Sequence, residues 1–308
     1  MKKIVIPAAL LLFSTMAHAQ NTVTAEQAGN DNFGQVDQFG GQNSVSIYQN
    51  NSQHSLYIEQ GTADRPVTGN TAAVLQSGGV GSQNTAKIQQ FGDDNQASIA
   101  QIGDFNNAFI YQPGNDNKAN IIQTVSGSNN YATIQQEGDR NTASIHQDDS
   151  GVHFSFASVV QTGSDNTAAL RQQGYNQEAF ITQSGNFNEA DVWQIYGAVG
   201  TYALVNQAGD NNFARTRQGN FSDESQIFIN QLGDDGFVEV KQNGFNNYAS
   251  ILQESGSFNE ATLQQDGGSN TFYLTQAGDG NSVTVTQPGN SNTLIINQVS
   301  PNGLQGGN

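Results

Sequence analysis

Residues Asn95-Gln96-Ala97-Ser98-Ile99-Ala100-Gln101-Ile102-Gly103 carry the pattern that decides the fold. The phrase N-x-A-x-I-x-Q-x-G-x-x begins at Asn21 and recurs to Gln298, with Asn141-Thr142-Ala143-Ser144-Ile145-His146-Gln147 another clear copy. Its glutamine anchors 24 units, and of the 23 spacings between anchors 16 equal eleven residues while the other seven are longer. Self-similarity at a fixed period means one supersecondary unit stacked on itself. No boundary for a second domain interrupts the array.

Within a unit, the Asn, Ala, Ile and Gln positions are restricted and the three between them are free. A period of two is a strand signature, with the restricted set facing inward. The unit opens with Asn in 18 copies, and the fifth residue is mostly Ile, Val or Leu (Ile47, Ile110, Val192, Leu263). The third residue is mostly Ala (Ala72, Ala86, Ala108, Ala168). Glycine two residues after the Gln, present in 16 copies, supplies the backbone freedom of a turn. Pro113 and Pro288 read as turn residues and Pro66 as part of an insertion, none of them in a strand. The free positions mix Thr, Ser, Tyr, Phe, Glu, Lys and Arg and read as patternless.

None of the 96 inward positions holds Asp, Glu, Lys or Arg. Parallel stacking explains this, because each side chain would lie about 4.8 Å above its copy and like charges would repel. Asn and Gln suit such a stack, since an amide carries both donors and an acceptor and can bond rung to rung. The expected polymerisation ladder comprises Gln27, Gln38, Gln101, Gln112, Gln161, Gln172, Gln276, Gln287 and Gln298, with Asn21, Asn95, Asn106, Asn166, Asn281 and Asn292.

Parity indicates how many units make a coil. Numbered from Asn21, strands 4, 12, 14, 16, 18 and 19 lack the leading Asn (His54, Ser155, Gln177, Thr201, Ser225, Gly236), and five of the six are even. Five of the seven insertions follow odd strands. Both biases suit a coil of two strands with insertions gathered on one edge. The expected fold is all-β: a parallel two-strand-per-coil β-solenoid, cross-β-like, of about 24 strands in about 12 coils. At about 4.8 Å per coil it would be near 58 Å long.

The remaining 308-residue composition narrows the function. The formal charge is −17, with 12% charged residues. A nucleic-acid partner would need a basic face, and none is expected. Lys2 and Lys3, the apolar run Ile4 to Phe13, and Ala17-His18-Ala19 form the three parts of a secretory signal peptide with cleavage after Ala19. That run is too short to span a membrane, so an integral membrane protein is not expected; a barrel would need apolar outward positions. Residues 1–19 are thus assigned to the signal, 20–298 to the solenoid and 299–308 to a polar tail. The exported chain would carry 8 basic and 27 acidic residues, a net −19, and no cysteine to form a disulfide.

Soluble solenoids end in polar caps, whereas the first unit here begins at Asn21 and the last ends at Gln298 with no helix or charged plug beside it. A top face that matches its own bottom face makes a heterologous, non-closing contact, which generates filaments. Acidic residues in turns and free positions (Asp93, Asp94, Asp139, Asp148, Asp149, Asp234, Asp235) would oppose premature association.

Ser155-x5-Gln161-x-Gly163-x2-Asn166-x-Ala168-x3-Gln172 resembles the curlin repeat, S-x5-Q-x-G-x2-N-x-A-x3-Q, at every specified position. The chain therefore resembles a curli-type functional amyloid fibre subunit from Asn21 to Gln298. The resemblance implies a two-strand-per-turn β-solenoid, secretion through the periplasm and a dedicated outer-membrane export pore to the cell surface, nucleation by a minor subunit, and a fimbrium-like role in biofilm matrix and adhesion. Three features depart from the family: most units open with Asn where the family alternates Ser and Asn, the array is longer than in the familiar subunits, and the Gly-rich leader that the family uses for export is missing.

Other classes fit less well. With no Cys and only His54, His146 and His153 beyond the signal, no catalytic arrangement or cofactor is nominated. Asp148-Asp149 would be the place for Ca²⁺, but the glycine-aspartate pattern of calcium-binding β-rolls is missing. The alternative is a monomeric β-solenoid adhesin for a host or abiotic surface, using outward aromatics such as Phe109, Tyr111, Phe180, Trp193 and Phe228. As scattered surface rings these would carry no specific role.

Overall fold

The computed structural model describes residues 20–78, 82–124, 129–148, 153–195, 197–219 and 221–300. Successive repeat units alternate between two parallel sheets of twelve strands each. Thr22–Ala28 pairs with Ser44–Asn50, and Phe33–Gln38, which lies between them in the chain, pairs with Ser55–Gln60. Each coil therefore holds two strands, as the parity of the sequence predicts. A short third sheet pairs Gly40–Gly41 with Val67–Thr68, inside the insertion that follows Gln60.

Register follows the repeat. In the first sheet Ala97, Ile99 and Gln101 stand opposite Ala119, Ile121 and Gln123; in the second Ala203, Val205 and Gln207 stand opposite Ile227, Ile229 and Gln231. A one-residue slip would turn every buried side chain to solvent, so the alternation enforces this pairing. The Ala and Ile rows of both sheets meet in one continuous core, in which Ile58, Ile88, Ile110, Ile121 and Ile134 are fully buried. Branched Ile and Val pack well on a pleated surface, which is why the fifth position favours them.

The turns show why glycine follows the glutamine. A Cβ on Gly114 would lie 1.8 Å from the carbonyl oxygen of Gly138 in the next coil, so the stacked turns pass too close for any side chain. Gly138 adds a φ of 121°, in the left-handed region. A second left-handed residue sits directly before the leading Asn, and here the residue type varies: Asp94, Phe105, Asp116, Arg140, Asp165 and Phe187 all have φ between 54° and 59°.

The insertions after Gln76, Gln123, Gln147, Gln194 and Gln218 all leave the first sheet and so fall on one edge, although parts of each lie outside the described residues. One turn assignment needs correction. Pro288 is the last residue of the strand Ser282–Pro288, at the C-terminal edge of its sheet. An edge strand tolerates the missing N–H.

Among the described residues the core is uncovered at both ends of the stack. Val23 is 36% exposed, and Val36, Val285, Leu294 and Ile296 are only partly buried against the core. Among the described residues no element covers either end. No helix among them is long and apolar enough to cross a membrane.

Candidate functional site: the amide ladders and the solenoid ends

Each glutamine anchor is an inward residue at the end of its strand's buried row, and every one from Gln49 to Gln287 is at most 5% exposed. Gln101 Nε2 donates to Gln123 Oε1 at 3.0 Å, Gln123 to Gln147 at 2.8 Å, and Gln147 to Gln172 at 2.8 Å. The second sheet repeats this from Gln90 through Gln112, Gln136 and Gln161 to Gln183, at 2.8–3.0 Å. The chains extend to the ends of both sheets, with Gln27 donating to Gln49 and Gln38 to Gln60, and Gln265 to Gln287 and Gln276 to Gln298.

All these amides point the same way, each donating toward the C-terminal end of the stack. Chemistry fixes the direction. From Gln38 onward the second N–H of Nε2 crosses the thin core to a backbone carbonyl of the facing sheet, as from Gln101 to Thr85 and from Gln112 to Gln96. Reversing an amide would set its oxygen against that carbonyl. Two donors used and one oxygen filled leave the buried amide satisfied, which removes a desolvation penalty of about 1–3 kcal/mol per group.

The asparagines bond differently from the rung-to-rung expectation. Asn95 Oδ1 accepts the backbone N–H of Asn117 at 3.0 Å, while Asn95 Nδ2 donates to the Gly114 carbonyl at 2.7 Å. Asn166 does the same with Asn188 and Gly185. One methylene shorter than Gln, Asn binds the next coil's turn backbone and seals the corner. Direct amide-to-amide contacts join only some of these residues, such as Asn188 to Asn166 at 3.1 Å, Asn281 to Asn259 at 2.9 Å and Asn292 to Asn270 at 2.9 Å. Asn106 stands in the same row, accepting the Asn130 N–H through Oδ1 at 3.1 Å.

Replacements of Asn leave marks. His54 is buried, its Nε2 bonded to the Asn50 carbonyl and its Nδ1 unpartnered; burial pulls its pKa below the ordinary histidine value, with the Asn50 bond and Asp104 opposing. Gln177 Oε1 and Thr201 Oγ1, in the same row, are also buried without a partner.

The ends expose the ladder's polarity. Among the described residues Gln27 and Gln38 have no preceding rung, so each offers an oxygen, and Asn21 Oδ1 there accepts the Asn43 N–H at 3.1 Å. Among the described residues Gln287 and Gln298 have no following rung and offer an N–H, their other N–H bonding the carbonyls of Thr271 and Ser282. Asn281 Oδ1 accepts from Ser300 Oγ at 2.8 Å. Ala17 and Ala19, the expected cleavage residues, lie outside the described residues, as does Asp149.

The acidic turn residues do more than carry charge. Asp93 Oδ1 accepts the Thr68 N–H at 2.7 Å, Asp139 Oδ1 the Asn115 N–H at 2.9 Å, and Asp234 Oδ1 the Asp210 N–H at 2.8 Å. They cap the stacked turns. Asp148 pairs with Arg171 at 3.1 Å. Among the described residues no three His, Cys, Asp or Glu side chains gather in a metal-holding group.

Nor are the outward residues patternless. Tyr131, Phe156, Phe180, Tyr202, Phe228, Tyr248 and Tyr273 fall on seven consecutive strands of the second sheet, with neighbouring ring centroids 5.1–5.7 Å apart. Trp193 lies on the other sheet, beneath Arg217 at 5.8 Å. Sorting outward residues by strand parity would have found the stripe, because odd and even units build different faces.

The family model described as the curlin associated repeat matches residues 92–124, 126–151, 163–195, 233–267 and 259–289. No curated protein matches the chain. With those five matches lying on alternating strands of two stacked parallel sheets, the chain belongs to the curlin-repeat family and has the architecture of a curli-type structural subunit.

Proposed function

We propose that this chain is secreted and polymerises by end-to-end stacking of solenoids into an extracellular amyloid fibre that serves biofilm matrix and surface adhesion. The observation that carries the reading is the complementarity of the ends. Unfilled glutamine oxygens at Gln27 and Gln38 face one way, and unspent N–H groups at Gln287 and Gln298 face the other. The backbone of a parallel edge strand offers both donors and acceptors at either end, so it sets no direction. The amide ladders set one: a C-terminal end docks on an N-terminal end, and two like ends do not match. Such a head-to-tail contact is heterologous and propagates without closing.

Export would follow removal of residues 1–19, through a dedicated outer-membrane pore, and a nucleator subunit would present the first template edge. No enzymatic step or cofactor enters this reading. The purified mature chain should begin soluble and convert to fibres with a meridional reflection at about 4.7–4.8 Å. A chain that stays monomeric at high concentration and melts cooperatively would overturn the reading in favour of a monomeric adhesin.

A further inference from the structure

The two outward faces differ in charge. Across the seven strands that bear the aromatic stripe, the three outward positions between the Asn and Gln rows hold one ionic side chain, Glu178, in 21 positions. The seven strands from Lys118–Thr124 to Glu260–Asp266 on the other sheet hold nine in the same 21. A chain of net charge −17 thus keeps one face nearly free of charge and lines it with rings. Tyr131 and Tyr273, at the stripe's two ends, are each 42% exposed.

We propose that this aromatic face is a lateral interface for a second copy of the chain, pairing solenoids sheet to sheet. Charge is the first argument. Two acidic solenoids approach without setting carboxylates against one another only where neither carries them. Area is the second: seven strands at about 4.8 Å by five residues at about 3.3 Å cover about 500 Å² per copy, so a pair buries about 1,000 Å², the size at which a specific interface begins. Repetition along a fibre multiplies each weak contact.

Ring geometry selects the occupant. Tyr131 and Phe156 are 5.1 Å apart with planes 9° apart, and the other five neighbouring pairs are tilted by 32–44°, so each ring turns its face chiefly toward the next ring and leaves an edge outward. A sugar platform needs ring faces presented to the ligand. Stacked rings with outward edges are suited to interdigitate with an identical row in a dry sheet-to-sheet contact. The stripe is also off-centre: its rings occupy the first and second of the three outward positions of their strands, and none the third. With the two faces in full overlap, rings meet rings only about a two-fold axis along the strands, so the paired solenoids run antiparallel.

Pairing within fibres rests on the polymerisation reading, and the test separates the two. Mass per length is measured on fibres of the mature chain and of Phe180→Glu/Phe228→Glu, with Ser98→Glu/Ser144→Glu on the opposite face as control. Two copies per rise are expected for wild type and control and one for the ring variant, at unchanged elongation rate. Phe180→Gln/Phe228→Gln, which adds no charge, should also lower the paired fraction. Single wild-type fibres, or pairing that survives both ring variants, would overturn the proposal; single fibres that bind a soluble neutral glucan through this face would reassign it to carbohydrate. If no fibres form, polymerisation fails, and sedimentation of the folded chain decides pairing: a dimer lost in the ring variants supports it and a monomer overturns it.

Discussion

Gln101 Nε2 donates one hydrogen to Gln123 Oε1 in the next coil and reaches the Thr85 carbonyl in the facing sheet. A single buried side chain thus ties successive coils along the axis and the two sheets across the core. Substituting Gln101→Lys with Gln112→Lys should be severe. Each ammonium would be fully buried, the neighbouring amides would lose a rung, and each site should lose about 3–5 kcal/mol. Polymerisation followed by dye binding should stall, with lower denaturation midpoints. Unchanged kinetics would show that these amides do not hold the stack.

Thr216 makes the complementary case, a natural departure that costs stability. It replaces the usual Ile or Val, stands between Val192 and Val240, is 1% exposed, and its hydroxyl has no partner. Valine has the same shape without the stranded polar group. Thr216→Val should therefore raise stability by about 1–2 kcal/mol in urea unfolding, leaving the register unchanged. A destabilised variant would mean that the hydroxyl is satisfied in solution.

These two residues show what was legible. The inward rows declare themselves because burial and stacking restrict every copy alike, so period, coil size and the amide ladder could be read before any coordinate. Three features could not. Phe105 and Arg140 take left-handed φ although neither favours it, because the coil corner imposes that geometry from both neighbouring strands. The direction of the Asn bonds depends on one methylene of reach to the turn of the next coil. Tyr202 and Phe228 are 26 residues apart in sequence and 5.2 Å apart as rings, a relation hidden until the units are sorted by sheet.

His54 links the ladder to pH. Its folded pKa lies below the ordinary value of about 6.5, chiefly through burial, so the unfolded chain takes up a proton first as pH falls. The associated stability is therefore fully present above pH of about 6.5 and is lost as the pH drops toward the folded value. His54→Asn, which restores the amide between Asn32 and Asn84, should remove that part of the pH dependence and raise stability at pH of about 5 more than at about 8. Parallel stability-against-pH curves for the two proteins would show that burial does not shift the titration of His54.

The end rungs give the most direct test of directional stacking. At Gln287 and Gln298 the N–H left over after the bonds to Thr271 and Ser282 is the donor that the next subunit's Gln27 and Gln38 oxygens would receive. Gln287→Glu with Gln298→Glu keeps the size of both side chains but makes them acceptors only, and places carboxylates against those oxygens. The variant keeps every backbone pairing, so it should fold and bind to a wild-type fibre only through its intact N-terminal end. Once bound, it presents two carboxylates where growth continues. On labelled seeds kept single by Phe180→Glu/Phe228→Glu, substoichiometric variant should therefore stop elongation at one end and leave the other end unaffected. The paired substitution Gln27→Lys with Gln38→Lys should block the opposite end, because an ammonium has no acceptor to offer the intact donor row. Both ends stopping alike under either variant would mean that the amide ladders do not direct assembly.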